Sequence, residues 1–183
     1  LDKVVGSAAA PYLTSVANSC GLARNYAGVA HPSLPNYIAA TSGDTQGITD
    51  DLAPTTVGHY LNVPNIYQQV NTAGGTWRDY EESAAGNCMN GSSGLYAVKH
   101  DPAAYYSNIA PQCATWDMPL GGLTAGSFIT ALTGGGLPTF SFVTPNLCND
   151  MHDCNTIAGD AWLRSWMPKL LSSPDYLAGR TAV

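Results

Sequence analysis

Residues 139–145, TFSFVTP, narrow the choice of architecture more than any other stretch of this chain. A short, nearly unbroken β-rich run that ends in proline has no polar face to turn towards water. It reads as a strand buried on both sides, the kind found inside a parallel sheet. The stretches around it supply the helices such a sheet needs. AAAPYLTSVANSCG carries Pro11 early, Leu13 and Val16 on one face and Gly21 just beyond the end, which are the start and stop signals of a short helix. LARNYAGVA then alternates as a strand would, SLPNYIAATSG reads as a helix closed by Gly43, and NIYQQVNTA as another ended by Gly74 and Gly75. TWRDYEE is expected to be a strand, giving a β-α-β-α alternation.

Residues 84–97 and the TGGGLP segment have the composition of connectors. After TFSFVTP comes the polar loop NLCNDMHDCNTIAGD. DAWLRSWMPKLLSS follows as an amphipathic helix, with Trp162, Leu163, Trp166 and Leu170 at helical spacing and Asp160 placed to cap its start. The final GRTAV has the look of one more strand beginning. The expected architecture is a layered α/β/α sandwich with a mostly parallel central sheet. Ligands should then lie at the carboxyl ends of the strands.

Composition limits the partners. Of the 183 residues 45% are hydrophobic, 11% are charged and the formal net charge is −6, so no basic surface exists to neutralise a nucleic-acid backbone. Small phosphorylated substrates remain open. No apolar run approaches the roughly 20 residues of a membrane-spanning helix. Five cysteines without C-x-x-C pairs, few lysines and long polar loops point to export and to disulfides. The simplest scheme closes Cys148 with Cys154 and Cys88 with Cys113, leaving Cys20 over. Leu1 in the place of an initiator methionine is expected to mean that preceding residues were removed.

Chemistry concentrates in two stretches. In HPSLPNY, Ser33 stands where a helix N-cap belongs, with Pro35 in the first turn. A hydroxyl there would also sit beside backbone N–H groups and the positive end of the helix dipole, a setting that suits a phosphoryl anion, and Asn36 could donate to a phosphate oxygen. The cap and the nucleophile readings are compatible. A serine needs a base or a metal to activate it, and His31 is near in sequence. In NDMHDC the residues Asn149, Asp150, His152 and Asp153 follow the presumed strand directly, where an α/β fold places function; a disulfide-clipped polar turn is the plainer alternative. His100 precedes an Asp-Pro turn, and His59 reads as structural. The pairs Asp50 and Asp51, and Glu81 and Glu82, are adjacent in sequence, which does not supply the cross-cleft spacing of a glycosidase; they read as solvated or capping groups. HPSLP lacks the glycines of a Gly-x-Ser-x-Gly elbow.

Taken in order, APYLTSVANSCGLARNYAGVAHPSLPNYIAATSG, TWRDYEES, YAVKHDPAAYY, FSFVTPNLCNDMHDC and GDAWLRSWMPKLLSSPDY resemble the secreted phosphoesterases that include bacterial and fungal acid phosphatases and relate to non-specific phospholipases C. The resemblance covers nearly the whole chain as one phosphoesterase domain, residues 1–183, and implies an alkaline-phosphatase-like fold. SLPNY looks like the Thr-x-Pro-Asn segment of nucleotide pyrophosphatases. It thereby implies that Ser33 is a metal-held nucleophile forming a phosphoseryl intermediate and that Asn36 contacts phosphate. His100, Asp150 and His152 would be its partners, positioning phosphate or protonating the leaving oxygen. In such relatives a Glu-Asn pair and an acidic pair, lying beyond the two ends of this sequence, hold a divalent metal ion. The chain is therefore expected to be a segment of a longer enzyme. The competing expectation is a secreted domain that binds an anion at the helix start without turning it over.

Overall fold

A computed structural model describes residues 4–183. Three parallel strands form the sheet: β1 (Trp77–Glu81) in the middle, β2 (Asp117–Pro119) on one side and β3 (Phe140–Thr144) on the other. Asp79 pairs with Asp117 and with Phe142, so all three strands end together at Glu81, Pro119 and Thr144. Alternation along β1 sends Trp77, Asp79 and Glu81 to one face and Arg78 and Tyr80 to the other. Each face carries its own apolar cluster. Trp77 packs with Leu34, Ile38, Tyr67, Tyr105 and Tyr106, and Tyr80 packs with Leu120, Phe128, Leu132 and Trp166. The result is the mixed α/β, three-layered arrangement expected, with α2 (Leu34–Ser42), α3 (Ile66–Thr72) and α4 (Ala110–Trp116) over the first face and α5 (Ser127–Gly134) and α6 (Thr156–Leu171) over the second.

The helices start and stop for the reasons read in the sequence, with one exchange. α1 (Pro11–Ser19) has Pro11 in its first turn, and Gly43 closes α2 in the left-handed region at φ 83°. Only a residue without a Cβ adopts that conformation freely. Asp160 does not cap α6, as had been expected. Asn155 does, accepting from Ala158 N–H, and Asp160 lies one turn inside the helix. Its carboxylate instead accepts from the backbone N–H groups of Tyr12 and Leu13 at 3.2 and 2.7 Å, capping α1 from across the fold.

Two expected strands do not form. Residues 22–30 are an exposed loop with Tyr26 82% and Val29 65% accessible, so their alternating apolar side chains have no sheet to bury against. Residues 180–183 run without regular structure beside β3, after Arg180 ties its guanidinium to Asp175 at 2.6 Å. β3 itself is less covered than its composition predicts. Phe140 to Val143 are half-buried, because among the described residues β3 pairs only with β1 and its outer edge stays open.

The disulfides are Cys88–Cys113 and Cys148–Cys154, and Cys20 is free and exposed. Among the described residues no helix is long and apolar enough to cross a membrane.

Candidate active site

Ser33 is the last residue before α2. It occupies the N-cap position with helical backbone angles and makes no side-chain cap hydrogen bond. Its hydroxyl is thus not spent on the helix, which separates the two readings that the sequence left joined. It lines a cavity of about 490 Å³ together with Gly28, Ala30, His31, Pro32, Asn36, Asp51, Lys99 and His152.

The amides at the start of α2 are occupied. Leu34 N–H donates to Asp51 Oδ1 at 2.9 Å, Pro35 has no N–H, and Asn36 N–H donates to Ser33 C=O at 3.0 Å. The helix start therefore does not offer the cradle of free N–H groups expected for an anion. Asn36 is spent as well. Its Oδ1 accepts from Val29 and Ala30 N–H at 2.8 and 3.2 Å, and its Nδ2 donates to the carbonyls of Ala30 and Pro32 at 2.8 and 2.9 Å. In this arrangement the Asn36 carboxamide fastens the loop that presents Ser33.

The second wall comes from the loop after β3, at the carboxyl end of the sheet. Asn146 Oδ1 accepts from the N–H groups of Cys148 and Asn149, Asn149 donates to Glu82, and the Cys148–Cys154 disulfide closes the turn. Met151 adopts φ 71°, a conformation a side chain seldom takes, and a Cβ at Gly159 would overlap its side chain. Glycine there lets the loop lie against α6. Glu82, expected to be solvated, is the loop's anchor, accepting from Asn146 N–H, Asn149 Nδ2 and Trp162 Nε1.

Within this loop Asp150 is the hub. Its Oδ1 accepts from His152 N–H at 2.8 Å, and its Oδ2 lies 3.1 Å from His100 Nδ1, off the line a hydrogen bond needs. His100 is 4% exposed and stacks on Tyr37, ring centroids 4.9 Å apart. Burial holds its pKa below the ordinary imidazole value, against the pull of Asp150. Burial, with Asp150 and Glu81 nearby, pushes the Tyr37 phenol far up, so it stays protonated. His152 is half exposed; its Nδ1 is 2.7 Å from Asp153 Oδ1 and its Nε2 is 3.5 Å from Lys99 Nζ. Lys99 also donates to Asp51 Oδ2 at 2.9 Å. Burial works to raise the Asp51 pKa, but the Leu34 N–H and the Lys99 ammonium outweigh it and keep the carboxyl below its ordinary value.

The structure brings Ser33, Asn36 and His152 to one cavity and sets His100 and Asp150 directly behind His152. His31 also lines it. His59 does not take part; it pairs with Asp50 at 2.6 Å elsewhere. Sequence reasoning missed Lys99, Asp51 and Tyr37. Lys99 adjoins His100 in KHDP and Tyr37 follows Asn36, so proximity was the signal available; Asp51 was set aside with its neighbour Asp50.

Residues suited to a metal lie elsewhere. Among the described residues, the groups whose ligand atoms approach within 4.8 Å of one another are Cys88, Cys113 and Asp117, and Asp79, Glu81 and Asp101. The first has its sulfurs in a disulfide, and neither includes Ser33. Around Ser33 both Asp51 oxygens are engaged. The residues here do not make a ligand set for a divalent ion at Ser33.

Residues 6–183 match the model of the Phosphoesterase family. The chain belongs to that family. It is 37% identical over 163 residues to phosphatidylinositol-3-phosphatase of Mycobacterium tuberculosis, an alignment covering 87% of this chain and 50% of the relative. It is 32% identical over 161 residues to an acid phosphatase of Aspergillus fumigatus, covering 85% and 35%, and 30% identical over 172 residues to the phosphate-repressible acid phosphatase of Penicillium chrysogenum, covering 88% and 39%. This phosphoesterase chain thus spans half or less of the length of each of these relatives.

Proposed function

We propose that the chain forms a single domain carrying the nucleophile of an exported hydrolase acting on phosphoric esters, with Ser33 as the attacking group. The observation that carries this is a serine hydroxyl left free at a helix start, in one cavity with a histidine that a carboxylate orients. Family membership and the phosphatase names of the relatives support the reaction class, and the two disulfides support export.

The roles follow from donors and acceptors. Asp153 holds the Nδ1 proton of His152, leaving Nε2 as the ring's acceptor on a residue that lines the cavity. Ser33 Oγ attacks phosphorus while its proton passes to His152 Nε2; the bond from phosphorus to the ester oxygen breaks, and that oxygen takes the proton as the alcohol leaves. Water then attacks the phosphoseryl group, again giving its proton to His152, and Ser33 is restored as phosphate departs. Asp150 and the neutral His100 position the His152 backbone. A divalent ion bound at Ser33 would lower the hydroxyl's pKa and screen phosphoryl charge, and its remaining ligands would have to be carboxylates other than those around Ser33 here.

The test uses the full-length protein, p-nitrophenyl phosphate and the Ser33→Ala variant, with and without chelator. Loss of turnover on the order of a thousandfold or more in the variant, with acid-stable phosphate trapped on Ser33 of the wild type, supports the proposal. Retained turnover in the variant refutes it. Loss on chelation assigns the activation of Ser33 to a metal, and resistance assigns it to His152. The competing reading, anion binding without turnover, relies on the start of α2, whose amides are already engaged.

A further inference from the structure

A phosphoryl group brings up to two negative charges into this cavity, and something must balance them. The two features that sequence reasoning assigned to that task are not free to perform it. Leu34 N–H is held by Asp51, Pro35 has none, Asn36 N–H is held by Ser33, and the Asn36 carboxamide is filled by the loop backbone. Asp51 further sets a negative charge against the positive end of the α2 dipole. Among the cavity's lining residues Lys99 is the one lysine or arginine.

We infer that the Lys99 ammonium, held in place by Asp51, is the fixed anchor for a non-bridging oxygen of the phosphoryl group, and that it favours dianionic phosphate monoesters over monoanionic diesters. This rests on the reading of Ser33 as the nucleophile only for its placement of the phosphoryl group. An ammonium has three N–H donors. One goes to Asp51 Oδ2 at 2.9 Å, and His152 Nε2, at 3.5 Å, lies at the outer limit of a hydrogen bond and stays available as an acceptor, so at least one N–H is left for a ligand in the cavity. The Lys99 side chain is 20% exposed, which shields its charge from solvent and salt while leaving it reachable. Asp51 is a positioning residue: one oxygen fixes it to the start of α2 beside Ser33 and the other fixes the ammonium, so nucleophile and anchor share one rigid reference. A dianion gains more from a fixed cation than a monoanion does, hence the preference for monoesters.

The experiment measures binding separately from turnover. Inorganic phosphate is titrated calorimetrically into the full-length protein, its Lys99→Met, Lys99→Arg and Asp51→Asn variants, and Ser33→Ala. Lys99→Met is expected to weaken phosphate binding tenfold or more, Lys99→Arg to restore part of it, and Asp51→Asn to weaken it by less than Lys99→Met, because the ammonium loses its fixed position while an opposing charge is removed. In turnover, Lys99→Met should raise KM for p-nitrophenyl phosphate by more than for bis-p-nitrophenyl phosphate. Unchanged phosphate affinity in Lys99→Met overturns the inference. Equal weakening in Lys99→Met and Asp51→Asn also overturns it, since the pair would then merely hold the loop; circular dichroism spectra and melting curves matching the wild type exclude misfolding as the cause. Full activity in Ser33→Ala alongside weakened phosphate binding in Lys99→Met would sink the nucleophile and leave the anchor standing.

Discussion

Replacing Asp101 by asparagine should change how the stability of this protein depends on pH. Asp79 and Glu81 of β1, Asp117 of β2 and Asp101 of the turn after His100 are all buried, and among the described residues no lysine or arginine bonds to any of them. The donors that reach the cluster are neutral: Tyr67 to Asp79, Tyr96 and Ala104 N–H to Asp101, and Thr144 to Glu81. Burial, reinforced by Asp101, holds the other three carboxyls well above their ordinary values. Burial raises Asp101 itself from 3.8 only to about 6, because hydrogen bonds oppose it. Asp101 is therefore the carboxyl of the cluster that ionises first as pH rises. A carboxyl whose pKa rises on folding favours the folded state fully below its unfolded value and loses that advantage as pH climbs through the folded value. Through Asp101 the wild type should accordingly lose stability between pH 4 and about 6, and through the other three carboxyls it goes on losing it at higher pH, opposite to ordinary acid denaturation. The shift is worth about 3 kcal/mol at about 1.4 kcal/mol per unit. Losing the Asp101 charge also lets the neighbouring carboxyls relax towards their ordinary values, which flattens the variant's profile further. Urea unfolding of wild type and Asp101→Asn at pH 4 and pH 7, with chelator present to exclude a cation from the cluster, measures the difference between the two pH responses. Taking that difference cancels any pH-independent cost of the amide. The fall in stability between the two pH values should be smaller in the variant by about 3 kcal/mol. Parallel pH profiles for the two proteins would refute the assignment of the charge to Asp101.

Two further outcomes follow from how the elements are tied. Replacing Cys148 and Cys154 by serine opens a short loop with a sequence separation of 6, which should cost about 2 kcal/mol in a urea titration. Turnover of p-nitrophenyl phosphate should fall much further than that stability loss accounts for, because the loop carries Asp150, His152 and Asp153. Asp160→Ala removes both bonds to the start of α1 and should cost about 1–3 kcal/mol, with amide hydrogen exchange rising first in residues 12–16; exchange unchanged there would show that α1 is held by other contacts.

Much of the fold was legible because it depends on short-range signals. Pro11, Gly43 and the spacing of Trp162, Trp166 and Leu170 act within one or two turns, and the helices they specify form as read. The failures share a different cause. LARNYAGVA alternates as a strand does, yet a strand exists only when a neighbour takes its hydrogen bonds, and the loop's amides at Val29 and Ala30 go to Asn36 instead. TFSFVTP was read as covered on both faces, but how far a strand is covered depends on what lies beyond its own residues, and the outer edge of β3 has no partner among those described. Asp160 sat where a helix cap would be plausible, and only the packing of α1 against α6 turned its carboxylate to a different helix.

The site was legible by residue type and not by its hydrogen-bond account. A serine before a proline-marked helix, and acids with histidine after a strand, suffice to single out Ser33, Asp150 and His152 as candidates, and the α/β layout brings Ser33 and His152 to one cavity. Asn36 has the right chemistry to hold phosphate, and a helix start has the right polarity to attract it. Each is nevertheless limited by a valence that must be filled: a carboxamide bonded to five backbone groups has little left to offer a ligand, and a helix whose first amide is held by Asp51 presents an acid's charge where its dipole would have been. Under the proposed reaction, the positive charge that a phosphoryl group requires comes from a group whose donors are not exhausted, and among the lining residues of this cavity that candidate is Lys99. Which groups remain free after the fold has taken its share is set by contacts such as Leu34 with Asp51, 17 residues apart, and Lys99 with Asp51, 48 apart, which no local pattern encodes.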